Sequence, residues 1–345
     1  MHRIGIIGAG FIGEGHAEAI AAVPGVELVA ASRTQQSALD AFVAQFGGTG
    51  YTDYRQLLER RDMDAVCIAL PHHLHTEAVE LAAAAGKHIL LEKPMAPTPE
   101  ECERIQAVVA QAGVKLMLAH TGRFIPPCVR AKEVLVSGAL GEIVAGRCAM
   151  IKQWEGPNRR PWHRDRAMGG GMWLTNGVHL VDRMMWYVDR PVRSVRAILG
   201  TRAHVQPADD VATAFLTFDG GAAAAIFLYG YRSGADDQET EVLATGGHLR
   251  FELTTGLHIG RNNRWELVEG TTGPWKPPAM IGQWEAFRRY LDDEIDSPVS
   301  GAAAAAAMRV VFAAEESSRM GREVILSNPC GGEVLPSPSC RARTP

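Results

Sequence analysis

Apolar positions in the first 120 residues fall into short β-branched runs separated by Ala-rich stretches with helical spacing. The pattern predicts strands at Arg3–Ile7, Val26–Ser32, Ala65–Ala69, His88–Glu92 and Lys115–Ala119. Between them it predicts helices at Glu14–Ala22, Ser37–Gln45, Tyr54–Arg60, Thr76–Ala85 and Thr98–Gln111. Such alternation belongs to a parallel sheet with crossover helices on its faces. Thr98-Pro99-Glu100-Glu101 adds a helix start, an N-cap with Pro at the first helical position.

Beyond Arg123 the texture changes. One further helix is predicted at Val129–Val136. Strand-like runs follow at Ile143–Lys152, Val192–Gly200, Val211–Phe218, Ala222–Tyr229, Glu239–Ala244 and His248–Glu252, with turns such as Asp219-Gly220-Gly221 between them. Successive strands joined by hairpin turns predict a mostly antiparallel sheet. The tract Ile281–Gly321 returns to helix, and the residues from Asn328 read as a loose tail. The organisation expected is therefore a dinucleotide-binding domain at 1–121, a substrate-binding and oligomerisation domain at 122–327 and a tail at 328–345.

The chain has 345 residues, enough for two domains that each bury a core. With 35 basic and 39 acidic side chains the net charge is −4, so no basic footprint for nucleic acid or an acidic membrane surface is present. No uncharged run reaches the roughly 18 residues of a membrane span. The N-terminus runs straight into a strand pattern without a secretory h-region, so a cytoplasmic protein is expected. Six cysteines without Cys-x-x-Cys spacing suggest reduced, mostly buried thiols and no metal site.

Gly8-Ala9-Gly10-Phe11-Ile12-Gly13 is G-x-G-x-x-G, weak as a bare pattern but placed between an apolar strand and an Ala-rich helix. In that setting Gly8 permits a tight turn, Gly10 lets backbone approach a pyrophosphate, and Gly13 brings helix against sheet. The helix N-terminus, opened by Phe11 and Ile12, then offers N–H groups and a positive dipole end to the anion. The next strand ends Ser32-Arg33-Thr34 where an NAD site usually has a carboxylate for the ribose diol. A guanidinium and two hydroxyls suit a 2′-phosphate, so NADP is expected, with NAD possible if another acidic group serves the ribose.

Two strings resemble one family closely: Ala65-Val66-Cys67-Ile68-Ala69-Leu70-Pro71-His72-His73-Leu74-His75, and Ala85-Gly86-Lys87-His88 running to Glu92-Lys93-Pro94-Met95-Ala96. They are similar to the glucose-fructose oxidoreductase, inositol dehydrogenase and MocA family. The match continues through His120, Arg123-Phe124, Gly141-Glu142-Ile143, Gly169-Gly170-Gly171 to Asp182, Gln283, Ala286-Phe287 and Gly321-Arg322. The resemblance implies an α/β fold: an N-terminal Rossmann doubly wound parallel sheet, then an α/β domain with a large open, mostly antiparallel sheet. It also implies a homodimer or homotetramer built through that sheet's exposed face.

By the same resemblance Glu92-Lys93-Pro94 lies beside the nicotinamide, with a cis Lys93–Pro94 bond and a lysine that acts on the reacting carbinol or carbonyl. A lysine at a strand's C-terminal end faces the crevice where open α/β sheets bind ligands, and its ammonium would stabilise the developing oxyanion. Glu92 would orient the cofactor side. Leu70, Pro71, His72 and His75 correspond to the family's loop over the nicotinamide ribose, a better reading of these histidines than a metal cluster because no carboxylates accompany them.

His179 matches the family's catalytic histidine, and an unperturbed pKa near 6.5 suits it to proton transfer. An α-helical register through Gly171–Asp182 puts Thr175, His179 and Asp182 on one face. The family's usual aspartate four residues before the histidine is Thr175 here, which cannot hold a charge; Asn176 beside it is a candidate substrate contact or helix cap. His120 and Arg123 match family positions near the ligand. The irregular stretch Trp154–Arg164, with Trp154, Trp162 and Arg164, reads either as a cleft wall for a ring and an anion or as a surface loop.

The function expected is an NAD(P)-dependent oxidoreductase moving hydride between nicotinamide C4 and a secondary alcohol or ketone of a small sugar or cyclitol-like substrate. The alternative keeps the chemistry for a cyclic dihydrodiol or aromatic-catabolism intermediate. A redox-assisted glycoside hydrolase and a silent nucleotide sensor are disfavoured, the latter because Lys93 and His179 are both present.

Overall fold

The computed structural model describes residues 1–156, 159–271 and 273–326; the tail expected at 328–345 and residue 327 lie outside them. Among the described residues the strands form two sheets.

The first sheet is parallel throughout. It contains β1 (His2–Ile7), β2 (Val26–Ser32), β3 (Thr49–Tyr51), β4 (Ala65–Ile68), β5 (His88–Glu92) and β6 (Leu116–Ala119), in the order β3-β2-β1-β4-β5-β6. Its crossovers carry α1 (Phe11–Ala22), α2 (Gln36–Phe46), α3 (Tyr54–Leu58), α4 (His75–Ala84) and α5 (Pro99–Ala112). Every residue of β4 is buried, as a strand covered by helices on both faces requires. The order reverses between β1 and β4, so the ligand crevice of a doubly wound sheet opens at their C-terminal ends. The start of α5 is capped as its sequence predicts, with Thr98 accepting from the Glu101 N–H and Pro99 in the first turn.

The second sheet runs β14-β13-β12-β11-β7-β10-β9-β8-β15. Its strands are β7 (Ile143–Gln153), β8 (Val192–Gly200), β9 (Val211–Phe218), β10 (Ala223–Tyr231), β11 (Asp237–Ala244), β12 (Gly247–Glu252), β13 (Gly256–Arg261), β14 (Arg264–Gly270) and β15 (Val324–Ile325). All neighbours are antiparallel except β7 and β10. The helices of this half are α6 (Pro126–Val136), α7 (Val178–Val188), α8 (Lys276–Leu291) and α9 (Gly301–Met320). No helix among the described residues is long and apolar enough to cross a membrane.

The apolar pattern does not predict β3, β13, β14 or β15. β14 shows why, because most of its side chains are exposed and leave no buried alternation to read. The β13–β14 hairpin turns through Asn262 and Asn263, both at positive φ, the geometry a two-residue hairpin needs. Four cysteines, Cys67, Cys102, Cys128 and Cys148, are free and buried; the other two lie outside the described residues.

The halves interlock. Leu118 N–H donates to the Val299 carbonyl at 3.0 Å, adding the chain ahead of α9 to the edge of β6. α8 packs on α1, which brings it behind the glycine turn.

Candidate active site

The glycine turn sits at the topological switch. Gly8 has φ +102°, and a Cβ there would overlap the Ala69 carbonyl at the end of β4; a Cβ at Gly13 would overlap the Gly8 carbonyl. Gly10 is different, since nothing lies within 4 Å of where its Cβ would be. That open cradle stands at the N-terminus of α1, which no side chain caps. The turn therefore fits a dinucleotide pyrophosphate, which would meet the backbone N–H groups and dipole of α1. Phe11 projects outward at the same end with the Lys276 ammonium 4.5 Å over its ring, while Ile12 is partly covered.

Ser32 is buried, and its carbonyl accepts from Gly8 N–H at 3.1 Å and Ala9 N–H at 2.9 Å, fixing the turn to β2. Arg33 leans over it, with Nη1 donating to the Ala9 carbonyl at 3.0 Å and lying 3.9 Å from Glu14. Thr34 is exposed beside it.

The histidines after β4 hold loops together. His75 is fully buried, with Nδ1 at 3.0 Å from the Pro94 carbonyl and Nε2 at 3.0 Å from the Leu70 carbonyl. It clamps the Leu70-Pro71 loop to the turn after β5, where the Lys93–Pro94 peptide is cis. His72, also buried, meets the Gly169 carbonyl through Nδ1 at 2.6 Å and the Trp162 ring at 4.6 Å. Both His75 nitrogens are turned to protein carbonyls, so within the loop expected over the nicotinamide ribose its ring serves to hold the loop's shape. His72 ties the first half to the glycine segment of the second.

Glu92 is anchored from behind. Its Oε1 lies 3.1 Å from His16 Nε2 and its Oε2 accepts from the Lys93 N–H at 3.1 Å. The Trp284 indole N–H donates to His16 Nδ1 at 3.0 Å. An indole nitrogen only donates, so His16 carries its own proton on Nε2 and gives it to Glu92. Burial raises the Glu92 pKa, but the His16 hydrogen bond and the charges around it outweigh that and hold the carboxyl below its usual range. Neither His16 nor Trp284 stands out in the sequence.

Lys93 Nζ donates to the Thr175 carbonyl at 3.1 Å. Its pKa is pushed down to about 8, by burial first; Glu92 opposes this, and Arg159, Lys152 and Lys276 reinforce it. His179, partly exposed, is driven well below the usual histidine value by burial and then by Lys93 and His120. At neutral pH its imidazole is therefore neutral, with a lone pair able to accept a proton. The rings of His179 and His120 stand edge to face, 6.2 Å between centroids.

The α-helical register expected through Thr175 does not hold. Trp173–Gly177 forms a turn of π-helix before α7 begins at Val178. Trp173 is fully buried and donates to the Val311 carbonyl at 3.0 Å, and Gly177 leaves room for its ring, where a Cβ would collide. A π turn holds more residues than an α turn and rotates the residues before it relative to those after it. Thr175 consequently presents its carbonyl to Lys93, while its buried hydroxyl has no partner among the described residues and makes no hydrogen bond to His179. Asn176 Nδ2 is likewise buried without a partner among the described residues, and α7 starts from Gly177 with no side-chain cap. Orphaned polar atoms in the segment whose carbonyl holds Lys93 mark a place where a ligand can satisfy them.

Other expected contacts are structural. Arg123 grips both oxygens of the buried Asp182, at 2.9 and 2.6 Å, and donates to the Pro298 carbonyl at 3.1 Å. It ties elements together and is not free for a ligand. His120 is buried, its Nδ1 3.5 Å from Asp182. Trp154 is 1% exposed, bonded to Gln206 at 3.0 Å, with the Arg159 guanidinium 4.2 Å over its ring. As a stacking platform for substrate it is corrected, because its own chain occupies it. Trp162 stacks on His163 at 3.7 Å, and Arg164 pairs with Glu155 at 3.5 Å near the surface. Lys152 and Arg159, whose charges help depress the Lys93 pKa, carry no sequence motif that marks them.

Comparison with known proteins agrees with this fold. The pattern of the oxidoreductase family with an NAD-binding Rossmann fold matches residues 2–120, and that of the GFO/IDH/MocA C-terminal domain matches residues 128–250. Levoglucosan dehydrogenase of Pseudarthrobacter phenanthrenivorans is 30% identical over 348 residues, covering 95% of this chain and 80% of that protein. The 1-carboxy-3-chloro-3,4-dihydroxycyclohexa-1,5-diene dehydrogenase of Comamonas testosteroni is 33% identical over 207 residues, 60% of this chain and 52% of that protein. Among solved structures, levoglucosan dehydrogenase in complex with NADH superposes with a TM-score of 0.88 at 22% identity, over 94% of this chain and 99% of that one.

Proposed function

The chain belongs to the Gfo/Idh/MocA family of oxidoreductases, and from that premise we propose that it oxidises a secondary alcohol, or reduces the ketone, of a sugar, cyclitol or cyclic diol. The observation that carries the reading is the meeting of Lys93 and the start of α7. The cation at the end of β5 touches the Thr175 carbonyl, and a neutral histidine follows within the same segment.

A bound nicotinamide dinucleotide supplies the hydride acceptor or donor. The residues Gly8, Gly10 and Gly13 and the N-terminus of α1 would hold its pyrophosphate, and Ser32, Arg33 and Thr34 its adenosine ribose. Arg33 supports a preference for the 2′-phosphate of NADP. In oxidation, His179 accepts the hydroxyl proton while the Lys93 ammonium donates to the oxygen as negative charge grows on it. Reduction runs through the same atoms in reverse. Glu92, held by His16, keeps the Lys93 turn in place. Residues 1–121 are read as the dinucleotide half and 122–327 as the substrate half.

A homo-oligomer through the second sheet is part of the same reading. Phe227, Thr213 and Ile198 form one cross-strand row on β10, β9 and β8, and Ala225, Phe215 and Arg196 the next. Ile198 is 68% exposed and Phe227 53%, an apolar face that a second copy would cover. The test of function is a screen of NADP and NAD reduction, and NADPH and NADH oxidation, against sugars, cyclitols, dihydrodiols and keto compounds. Absence of turnover across all four classes, their carboxylated and phosphorylated members included, would sink the reading.

A further inference from the structure

The far end of β7 carries an unused charge. Gly146, Cys148 and Met150 are its buried positions, while Arg147 points to the opposite face and pairs with Glu239 and Glu241. Lys152 shares the parity of the buried set and so leaves the strand on the face covered by α7. Strand and helix run in opposite directions: Gly146 abuts Met184, and Arg183 donates to Thr240, the cross-strand partner of Cys148. Four residues past Cys148 is about 13 Å along a strand, or roughly nine residues back along a helix from Arg183. That is the level of Thr175, where Lys93 sits.

Arg159 lies within Coulomb range of both Lys152 and Lys93. Its Nε donates to the Trp154 carbonyl at 3.0 Å and its plane lies over the buried Trp154 ring, which pins the guanidinium with its terminal nitrogens unspent among the described residues. Among the described residues neither Lys152 nor Arg159 has an ion-pair partner. The carboxylate that Lys152 feels, Asp236, already accepts from the Tyr231 hydroxyl at 2.7 Å and the Gln153 N–H at 3.1 Å. Burial and then Arg159 depress the Lys152 pKa, and burial brings Arg159 down to about 10. Partly buried cations that repel one another without an ion-pair partner are relieved by a bound anion and not by a neutral polyol.

We propose that the substrate carries an anionic group, a carboxylate or a phosphate monoester, seated between Lys152 and Arg159 while its carbinol or carbonyl carbon meets Lys93 and His179. The subsite narrows the dehydrogenase reading above and rests on it for the placement of the reacting carbon. Acidic rings and sugar acids or phosphates then form the substrate class, and unmodified sugars are poor substrates.

The test uses ligands that cannot turn over. The protein saturated with NADPH is titrated with cyclohex-1-enecarboxylate, its uncharged amide and cyclohexyl phosphate, and binding is followed through cofactor fluorescence and calorimetry. One anion is expected to bind at least tenfold more tightly than the amide, and which one it is separates carboxylate from phosphate. Lys152→Met and Arg159→Met should each lose tenfold for that anion, with Lys152→Arg restoring it to within threefold. Anions and amide binding equally, or both Met variants binding the anion as well as the parent, would overturn the subsite. Anion binding without turnover of any alcohol would instead sink the dehydrogenase reading and leave the subsite standing.

Discussion

The Lys93 ammonium donates to the Thr175 carbonyl across 3.1 Å, joining the end of β5 in the parallel sheet to the turn that opens α7 in the other half. A cation held by a carbonyl at a domain junction is positioned without being neutralised, which suits it to an oxygen that becomes negative only during reaction. Lys93→Ala should therefore lower kcat by two or more orders of magnitude while the cofactor Kd stays within about threefold. Titration of cofactor and steady-state rates separate the two, and normal turnover would assign Lys93 to structure.

The same lysine gives the enzyme a pH limb. With its pKa at about 8 and its charged form required, kcat/KM for alcohol oxidation should fall as pH rises through about 8. Arg159 is one of the cations that depress it, so Arg159→Met should move the limb upward. A rate that climbs through the same pH would make Lys93 the base and reverse the roles given to it and His179.

How far the sequence reaches is visible around this lysine. Glu92-Lys93-Pro94 and the glycine turn are contiguous strings, and the apolar runs beside them place both at strand ends. His16 and Trp284 are 268 positions apart, and their pairing depends on α8 packing behind α1, which no local pattern encodes. Lys152 and Arg159 read as surface charges until the strand parity of β7 and the burial of Trp154 set their directions. The π turn at Trp173–Gly177 comes from seating one indole against the Val311 carbonyl, a tertiary demand that overrides helical periodicity.

Trp284, His16 and Glu92 should behave as one buried chain. Trp284→Phe removes the donor to His16 and is expected to lower the unfolding free energy by about 1–3 kcal/mol. His16→Leu strips a hydrogen bond from a buried carboxylate and should cost about 1.5–3 kcal/mol. Denaturant unfolding of both variants and of the double variant tests the coupling, which fails if the single losses simply add.

Arg33 decides the cofactor in this reading. A charge-assisted contact to the 2′-phosphate is worth about 1.5–3 kcal/mol, so NADP should bind at least roughly tenfold more tightly than NAD. Arg33→Asp should reverse the order by repelling the phosphate and accepting from the ribose diol. Equal dissociation constants in the parent protein would remove Arg33 from that role and leave its bond to Ala9 as its purpose.

Thr175 is the position where a charge is missing. Its hydroxyl is buried without a partner among the described residues, in the segment that leads to a His179 whose pKa is already driven down by burial and by Lys93. A carboxylate introduced there favours imidazolium, so Thr175→Asp should raise the His179 pKa and shift the lower limb of the kcat/KM profile to higher pH. As the base for alcohol oxidation, His179 would then be protonated over more of the acidic range, and oxidation there should slow. The carboxylate would also stabilise the Lys93 ammonium, so the upper limb should rise as well, and both limbs moving together separates a charge effect from a collapsed site. The π turn sets the condition for the first shift, because it rotates Thr175 away from the α-helical alignment with His179. If the upper limb moves and the lower does not, position 175 addresses Lys93 alone, and the proton acceptor must be sought with His179→Ala.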